Sequence, residues 1–176
     1  TLNATNAAET ASNRFNDTSP NSTVFTIGTS DNVNASENYI AWCFAEVDGY
    51  SKIGSYIGNG NNNGTFVYLG FRPAFIMVKR AVGGTGAYSS WAIYDNKRKT
   101  INSDVGTDSK VLFANKNSQE GIRGNGSLSI SGTRTAIDFL SNGFKLRDIA
   151  NEIGVSGNTY IYMAFAEEPF KYANSK

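Results

Sequence analysis

The stretch YIYMAFAE at residues 160–167 decides the fold, because a similar stretch, YIAWCFAE, with five of the eight residues identical, occurs at residues 39–46. A run of this length that is apolar at successive positions and rich in aromatic residues is typical of a central β-strand buried on both faces. Phe25-Thr-Ile27 and Phe144-Lys-Leu146 precede the two stretches, each separated from it by a polar loop. Matches in the same order predict an internal repeat.

The repeat predicts which residues belong to the core. They are Tyr39, Ile40 and Phe44 in the first copy, and Tyr160, Ile161 and Phe165 in the second. The single cysteine, Cys43, lies within the first apolar run. We therefore expect a buried and unreactive thiol.

The repeat also predicts the domain organisation. Residues 48–176 form a complete unit, whereas residues 1–47 match only the second half of an upstream unit. This unmatched half is expected to pack as extra strands on the complete unit or to be swapped into a neighbouring chain. Exposed apolar strand edges tend to pair with other chains. The chain begins with Thr, and we expect it to be a piece of a longer protein.

Short apolar runs separated by Gly- and Asn-rich turns continue through the chain. Besides those in the repeat, the predicted strands lie at residues 24–27, 65–69, 75–79, 90–94, 111–114, 128–130 and 135–140. One helical candidate covers residues 147–153. This pattern predicts an all-β fold, an antiparallel and jelly-roll-like β-sandwich of about ten strands with an internal one-and-a-half-fold repeat.

The composition excludes several classes of function. There is no histidine, which removes Ser-His-Asp catalysis, histidine metal sites and a histidine pH switch. The net charge of +1 gives no electrostatic footprint for nucleic acid or for an anionic membrane. No apolar run is long enough to span a bilayer, so membrane insertion is not expected.

Several segments, in this order, resemble a repeat found in virion proteins of tailed bacteriophages from aquatic hosts. They are Gly58-Asn-Gly, GFRPAFIMVKR at residues 70–80, Trp91-x-x-Tyr94-Asp95, Phe139-x-Ser-Asn-Gly143-Phe144-x-Leu146 and the closing strand at residues 160–167. The resemblance covers nearly the whole chain. It implies a tail-fibre-like structural protein on the virion that assembles with itself, commonly as a trimer, and with other virion proteins. It supplies no catalytic residues.

One predicted ligand site combines aromatic and amide side chains. It consists of Tyr88, Trp91 and Tyr94 together with Asn61 and Asn62. Aromatic faces stack on the apolar faces of sugars, and amides bond their hydroxyls. The alternative is that Trp91 and Tyr94 belong to the core or to an oligomer interface, which is favoured because alternate aromatic positions in strands usually pack.

Other polar groups have plain structural explanations. Asp31, Asn32, Asn34 and Glu37 offer oxygen ligands for Ca²⁺, but the EF-hand spacing is missing and such loops are usually only solvated. The glycine-rich residues 58–64 lack the Lys of a phosphate loop and predict a hairpin loop. Glu46 and Glu167 occupy equivalent repeat positions, where capping of strand ends is favoured over glycosidase catalysis. We expect no cofactor and no metal.

These observations favour a non-catalytic structural or adhesive module in a host-facing virion appendage, where it binds a cell-surface glycan or protein. A purely structural capsid decoration or filament subunit, assembled by strand exchange, is one alternative. A glycan depolymerase is the second alternative, and it requires two carboxylates that converge in a groove.

Overall fold

The computed structural model describes residues 12–82, 89–98, 110–117, 120 and 136–168. The chain divides into two compact units, Ala8–Phe44 and a larger unit of Thr1–Ala7 with Ala45–Lys176. All strands formed by the described residues lie in the larger unit. Among these residues, no helix is long and apolar enough to cross a membrane.

The larger unit is an antiparallel β-sandwich, which confirms the predicted fold class. Its first sheet has five strands in the spatial order β1-β8-β3-β4-β5. They are β1 (Ser51–Ile57), β3 (Pro73–Val82), β4 (Ala92–Asp95), β5 (Leu112–Phe113) and β8 (Thr159–Ala166). The second sheet has the order β2-β7-β6. It consists of β2 (Phe66–Tyr68), β6 (Ile137–Leu140) and β7 (Gly143–Leu146).

Strand β8 shows why the sequence forms this sandwich. Successive side chains point to opposite faces of a sheet, and Tyr160, Tyr162 and Ala164 are buried on the inner face. On the outer face, Ile161 is 37% exposed and Phe165 is half-buried. The core prediction is therefore confirmed for Tyr160, is wrong for Ile161, and holds only in part for Phe165.

Aromatic rings join the two sheets across the core. Tyr56 of β1 stacks on Tyr160 of β8, with ring centroids 5.2 Å apart. Phe144 comes from the second sheet and meets Tyr56 edge-on at 6.0 Å and Tyr162 edge-on at 5.6 Å. Such pairs contribute about 0.5–1.5 kcal/mol each beyond the burial of their area. The core is thus centred where β1, β7 and β8 face one another.

The chain enters and leaves the sandwich at the same end. Ser51, at the start of β1, pairs with Phe165 near the end of β8, and Ile57 pairs with Thr159 at the opposite end. We call the end at Ser51 and Phe165 the proximal end and the other the distal end. Loops that follow β1 and precede β8 must therefore lie together at the distal end.

Strand β1 was not predicted from the sequence. Its residues, SKIGSYI, are mostly polar or exposed, and glycine in a strand is usually a mark against the assignment. Here Gly54 has a packing role, because a β-carbon at that position would lie 2.8 Å from the hydroxyl of Tyr162. The predicted helix at residues 147–153 is also wrong, since coil and turns occupy these residues. The predicted strand at 128–130 lies outside the described residues.

The smaller unit, Ala8–Phe44, corrects the strand predictions at the beginning of the chain. It contains two single-turn helices, α1 (Ser12–Phe15) and α2 (Asp31–Asn34). Residues 24–27 and 39–45 are not strands. Within the described residues, no strand pairs with them, and an isolated strand has nothing to hold it.

The core predictions for the first copy of the repeat are likewise wrong. Tyr39 is 46% exposed, Ile40 is 77% exposed and Phe44 is 56% exposed. Cys43 is exposed as well. Apolar side chains become a core only when a second layer covers them. The sequence indicated burial correctly for Tyr160 in the second copy but carried no information about what covers the first.

Candidate functional site

Two loops and the chain ahead of β4 form a rim at the distal end of the sandwich. The loop after β1 is bonded to the loop before β8 by three backbone hydrogen bonds. They join Gly58 N–H to Asn158 O at 3.0 Å, Gly157 N–H to Gly58 O at 2.9 Å, and Gly60 N–H to Gly154 O at 3.0 Å. A β-carbon on Gly58 would lie 2.3 Å from Val155 O, so only glycine allows this approach. We call the surface formed by these two loops, together with Trp91, the distal rim.

Asn61 and Asn62 lie on the distal rim, in the loop between β1 and β2. The N–H of Asn61 donates to Asn59 Oδ1 at 3.1 Å, and the N–H of Asn63 donates to Asn61 Oδ1 at 2.8 Å. These are local Asx turns, in which asparagine side chains hold the backbone of their own loop. Asn61 is exposed and Asn62 is half-exposed. Residues 58–64 form a loop, but the predicted hairpin is wrong, because β1 pairs with β8 and β2 pairs with β7 in the other sheet.

Trp91 lies directly before β4, on the outer face of the five-stranded sheet. The Lys79 Nζ atom is 5.5 Å from the centroid of its ring, a cation–π contact. Burial lowers the pKa of Lys79. The N–H of Trp91 donates to Asn115 Oδ1 at 3.0 Å, which fixes the backbone at this point. Trp91 is half-buried.

The five predicted ligand residues do not form one platform. Tyr94 is buried in the core on the inner face of β4, whereas Trp91 is on the outer face. Tyr88 lies outside the described residues. Asn61 and Trp91 share the distal end, but β1 and β4 are three strand spacings apart, about 14 Å. Trp91 and the asparagines can line an extended surface, but they do not converge on a single sugar ring.

A buried polar cluster beneath the distal rim was missed by the sequence analysis. Arg80 is 5% exposed, and its Nη2 lies 3.4 Å from Ser89 Oγ. Glu152 is 3% exposed, and both charged groups act on Tyr160, whose pKa is raised by burial. The signal was available, because Arg80 follows Ile76 and Val78 with the period of two that marks an inner face.

Glu167 holds the proximal end. Its carboxylate is 2.7 Å from Arg72 Nε and 3.8 Å from Lys97 Nζ, and it accepts from Asn96 Nδ2 at 2.8 Å. Its repeat counterpart, Glu46, accepts from the N–H of Ile53 at 3.0 Å. The two acids therefore make different contacts: Glu167 joins residues beside the ends of β3 and β4, whereas Glu46 bonds to the backbone within β1.

The predicted calcium ligands surround α2. The Asp31 backbone oxygen accepts from the Tyr39 hydroxyl at 2.5 Å, and the Asn34 amide donates to Gly28 O at 3.0 Å. Asn32 donates its N–H to Ser30 Oγ at 3.4 Å, as expected beside a helix N-cap. Within the described parts of the chain, no three acidic, cysteine or histidine side chains cluster as metal ligands. The loop is organised by its own hydrogen bonds.

Residues 24–47 expose a series of large apolar side chains, and we call them the apolar segment. The exposed members, each between 42% and 77% exposed, are Val24, Phe25, Ile27, Tyr39, Ile40, Trp42, Phe44 and Val47. Exposed apolar side chains in this number favour protein association.

A family model described as a domain of unknown function, DUF7483, matches residues 1–169, and the chain therefore belongs to that family. No curated protein and no solved structure matches the chain.

Proposed function

We propose that this DUF7483 member is a non-catalytic structural and adhesive module of a virion appendage such as a tail fibre. One observation carries the structural part, namely the apolar segment. Eight large apolar side chains between Val24 and Val47 are exposed. Burying one such side chain stabilises an assembly by about 1.5–3 kcal/mol. A chain that exposes these side chains is expected to associate with other chains through them.

The adhesive part is supported by the distal rim. The rim lies at the opposite end of the sandwich from Ser51 and Phe165. It presents an indole and exposed amides, the groups that contact sugars and polar protein surfaces. A cell-surface glycan or protein is the ligand that this chemistry favours.

The contacts of the acidic side chains support a non-catalytic role. Glu46 and Glu167, the pair singled out by the repeat, both accept hydrogen bonds from neighbouring groups. The virion setting rests on the resemblance in sequence described above, as does self-assembly into a fibre. A purely structural filament subunit is the second candidate, favoured by the same apolar segment.

Sedimentation velocity tests the structural part. We expect the 176-residue chain to form species larger than a monomer as its concentration rises. Combined Ile40→Asp and Trp42→Asp substitutions should reduce this association strongly, because they place charge on the apolar segment. Val82→Asp with Ile149→Asp is the matched control, since these two residues are 55% and 50% exposed elsewhere. A wild-type chain that stays monomeric contradicts the proposal.

Binding to a panel of purified bacterial surface polysaccharides tests the adhesive part. Trp91→Ala should weaken the binding to any glycan that the chain recognises at least about tenfold, since stacked indole contacts contribute strongly to binding. Trp42→Ala should leave that binding unchanged. A reducing-end assay on the same mixtures separates adhesion from depolymerisation, and release of reducing ends would contradict the non-catalytic assignment.

A further inference from the structure

We infer that residues 12–46 are the closing half of a preceding unit of the same fold. Their partner is the first half of such a unit, with strands equivalent to β1–β5. This inference rests on the structural part of the proposed function and names the surface that covers the apolar segment. In it, residues 25–27 act as β7 and residues 39–45 act as β8.

The loop before each copy of the strand is organised in the same way. In both, the tyrosine hydroxyl accepts a hydrogen bond from one backbone N–H of the loop and donates to one backbone carbonyl further upstream. The partners are Ala35 N–H (3.0 Å) and Asp31 O (2.5 Å) for Tyr39, and Val155 N–H (3.0 Å) and Asn151 O (3.0 Å) for Tyr160. The offset is 120 residues at both partners and 121 at the tyrosines.

The helical turn inside each loop also matches. In each copy, two successive N–H groups donate to one carbonyl. Ser30 O accepts from Val33 (3.0 Å) and Asn34 (2.9 Å), and Ala150 O accepts from Ile153 (3.0 Å) and Gly154 (2.8 Å). The offset is again 120 residues. Four hydrogen bonds therefore recur at equivalent positions, which is a structural repeat and not only a resemblance of composition.

The chain ahead of the loop is tied back in a related way. Gly28 N–H donates to Arg14 O at 2.6 Å, and Arg147 N–H donates to Ala136 O at 2.9 Å. In the second copy, that bond continues the pairing of β7 with β6. The first copy thus keeps the local connections of the β6–β8 region, although it forms no sheet.

The two copies differ in how far their equivalent side chains are buried. Phe144, Leu146 and Tyr160 are each 0% exposed in the complete unit. Their counterparts Phe25, Ile27 and Tyr39 are 42%, 46% and 46% exposed, respectively. The first copy has the loop structure of the complete unit, and it exposes side chains that the complete unit buries. It is therefore suited to pair with strands like those that cover the second copy.

The strand itself fits the position of β8. With Tyr39 aligned to Tyr160, Cys43 takes the place of Ala164, which is 0% exposed on the inner face. A small residue thus replaces a small residue at a fully buried position. Trp42 takes the place of Met163, which is half-buried on the outer face.

The partner must be a half unit, because a complete unit has this position filled. Strand β8 is flanked by β1 on one side and by β3 on the other, with Met163 paired to both Ile53 and Met77. A second complete copy would have to lose its own β8 before it accepted another. A first half without these strands offers the same two flanking edges unpaired.

A tandem chain tests this inference. A copy of residues 48–119 is placed directly ahead of Thr1 of the full chain, which restores the repeat offset. Cys43 should react rapidly with Ellman's reagent in the 176-residue chain, where it is exposed. In the tandem its reaction should be at least about a hundred times slower, because a buried thiol reacts only through local opening. The tandem should also lose the self-association of the shorter chain.

Two variants of the tandem provide the controls. Ala41→Glu places a charge at the inner-face position equivalent to Tyr162 and should restore the reactivity of Cys43. Glu37→Gln changes the exposed loop and should leave the thiol protected. A second tandem carrying residues 48–98 in front guards against a poor junction. Aggregation of both tandems, where the 176-residue chain is soluble, would count against the inference.

The outcomes separate this inference from the proposed function. Self-association of the 176-residue chain with a fully reactive Cys43 in both tandems would leave the structural role standing and overturn the half-unit partner. Full protection of Cys43 in the self-associated 176-residue chain would identify a second complete copy as the partner. That result would also overturn the half-unit inference.

Discussion

The β6–β8 region and the smaller unit have similar sequences and the same loop hydrogen bonds, but only one of them is part of a sandwich. Tyr160 and Tyr39 each anchor a one-turn loop through the hydroxyl. Tyr160 is fully buried and Tyr39 is 46% exposed. The difference teaches that the loop is specified locally, whereas the strand after it depends on partners from elsewhere.

The largest expected effect is on the stability of the folded chain. Tyr160→Ala removes the ring stacked on Tyr56 and should cost about 3–5 kcal/mol, as other large aromatic truncations in cores do. Tyr39→Ala should cost under about 1 kcal/mol in the same chain, because its ring is covered only in part. Urea unfolding followed by circular dichroism measures both. Equal losses would break the comparison.

A smaller effect isolates the hydroxyl. Tyr160→Phe leaves the N–H of Val155 and the carbonyl of Asn151 without their partner in a partly buried setting. This should cost about 1–3 kcal/mol, the desolvation penalty of unsatisfied buried groups. Tyr39→Phe should cost less, because water reaches Ala35 and Asp31. The same urea titration decides the matter, and a larger loss for Tyr39→Phe would show that the first loop is the more constrained of the two.

The smallest effect is a dependence on pH. Burial raises the pKa of Tyr56 well above its usual value of 10.0, and burial also raises the pKa of Tyr160 and Tyr162. The neutral phenol is then favoured in the fold, so stability is fully present below about pH 10 and declines above it. The decline should not exceed about 1.4 kcal/mol per pH unit for each tyrosine.

Urea midpoints measured on either side of pH 10 test this dependence. Tyr56→Phe should have a shallower decline than the wild-type chain, since it removes the most strongly shifted group. Tyr68→Phe is the matched control, because Tyr68 is 60% exposed. A wild-type midpoint that stays constant through this range would mean that these tyrosines ionise as easily in the fold as in the unfolded chain.

The sequence predicted the sandwich because short apolar runs separated by Gly- and Asn-rich turns mark most of its strands. It failed at β1, where Gly54 makes room for Tyr162 from a distant part of the chain. It failed at residues 39–45 for the opposite reason, since their pattern resembles that of β8 but no strand among the described residues pairs with them.

The candidate site was predicted less well. The parity of a strand places Trp91 and Tyr94, three residues apart, on opposite faces, so that a shared platform could have been excluded in advance. Arg80 was overlooked because an arginine in a sequence suggests exposure, whereas here it is 5% exposed and its Nη2 lies 3.4 Å from Ser89 Oγ. Glu46 and Glu167 hold equivalent positions in the repeat, but their contacts differ because the groups around them differ.

The arrangement of β1 and β8 determines how the module responds to mechanical force. Since Ser51 and Phe165 are paired at one end, tension applied through the two ends of the unit pulls neighbouring antiparallel strands apart from that end. The hydrogen bonds between them would then break one after another, as in a zipper, and not all together in shear. The hydrogen bond from Ala166 N–H to Tyr50 O, at 2.8 Å, lies where this peeling starts and is among the first to break. A fibre made of such units would extend by stepwise opening from the proximal end, with the distal rim the last part to come apart.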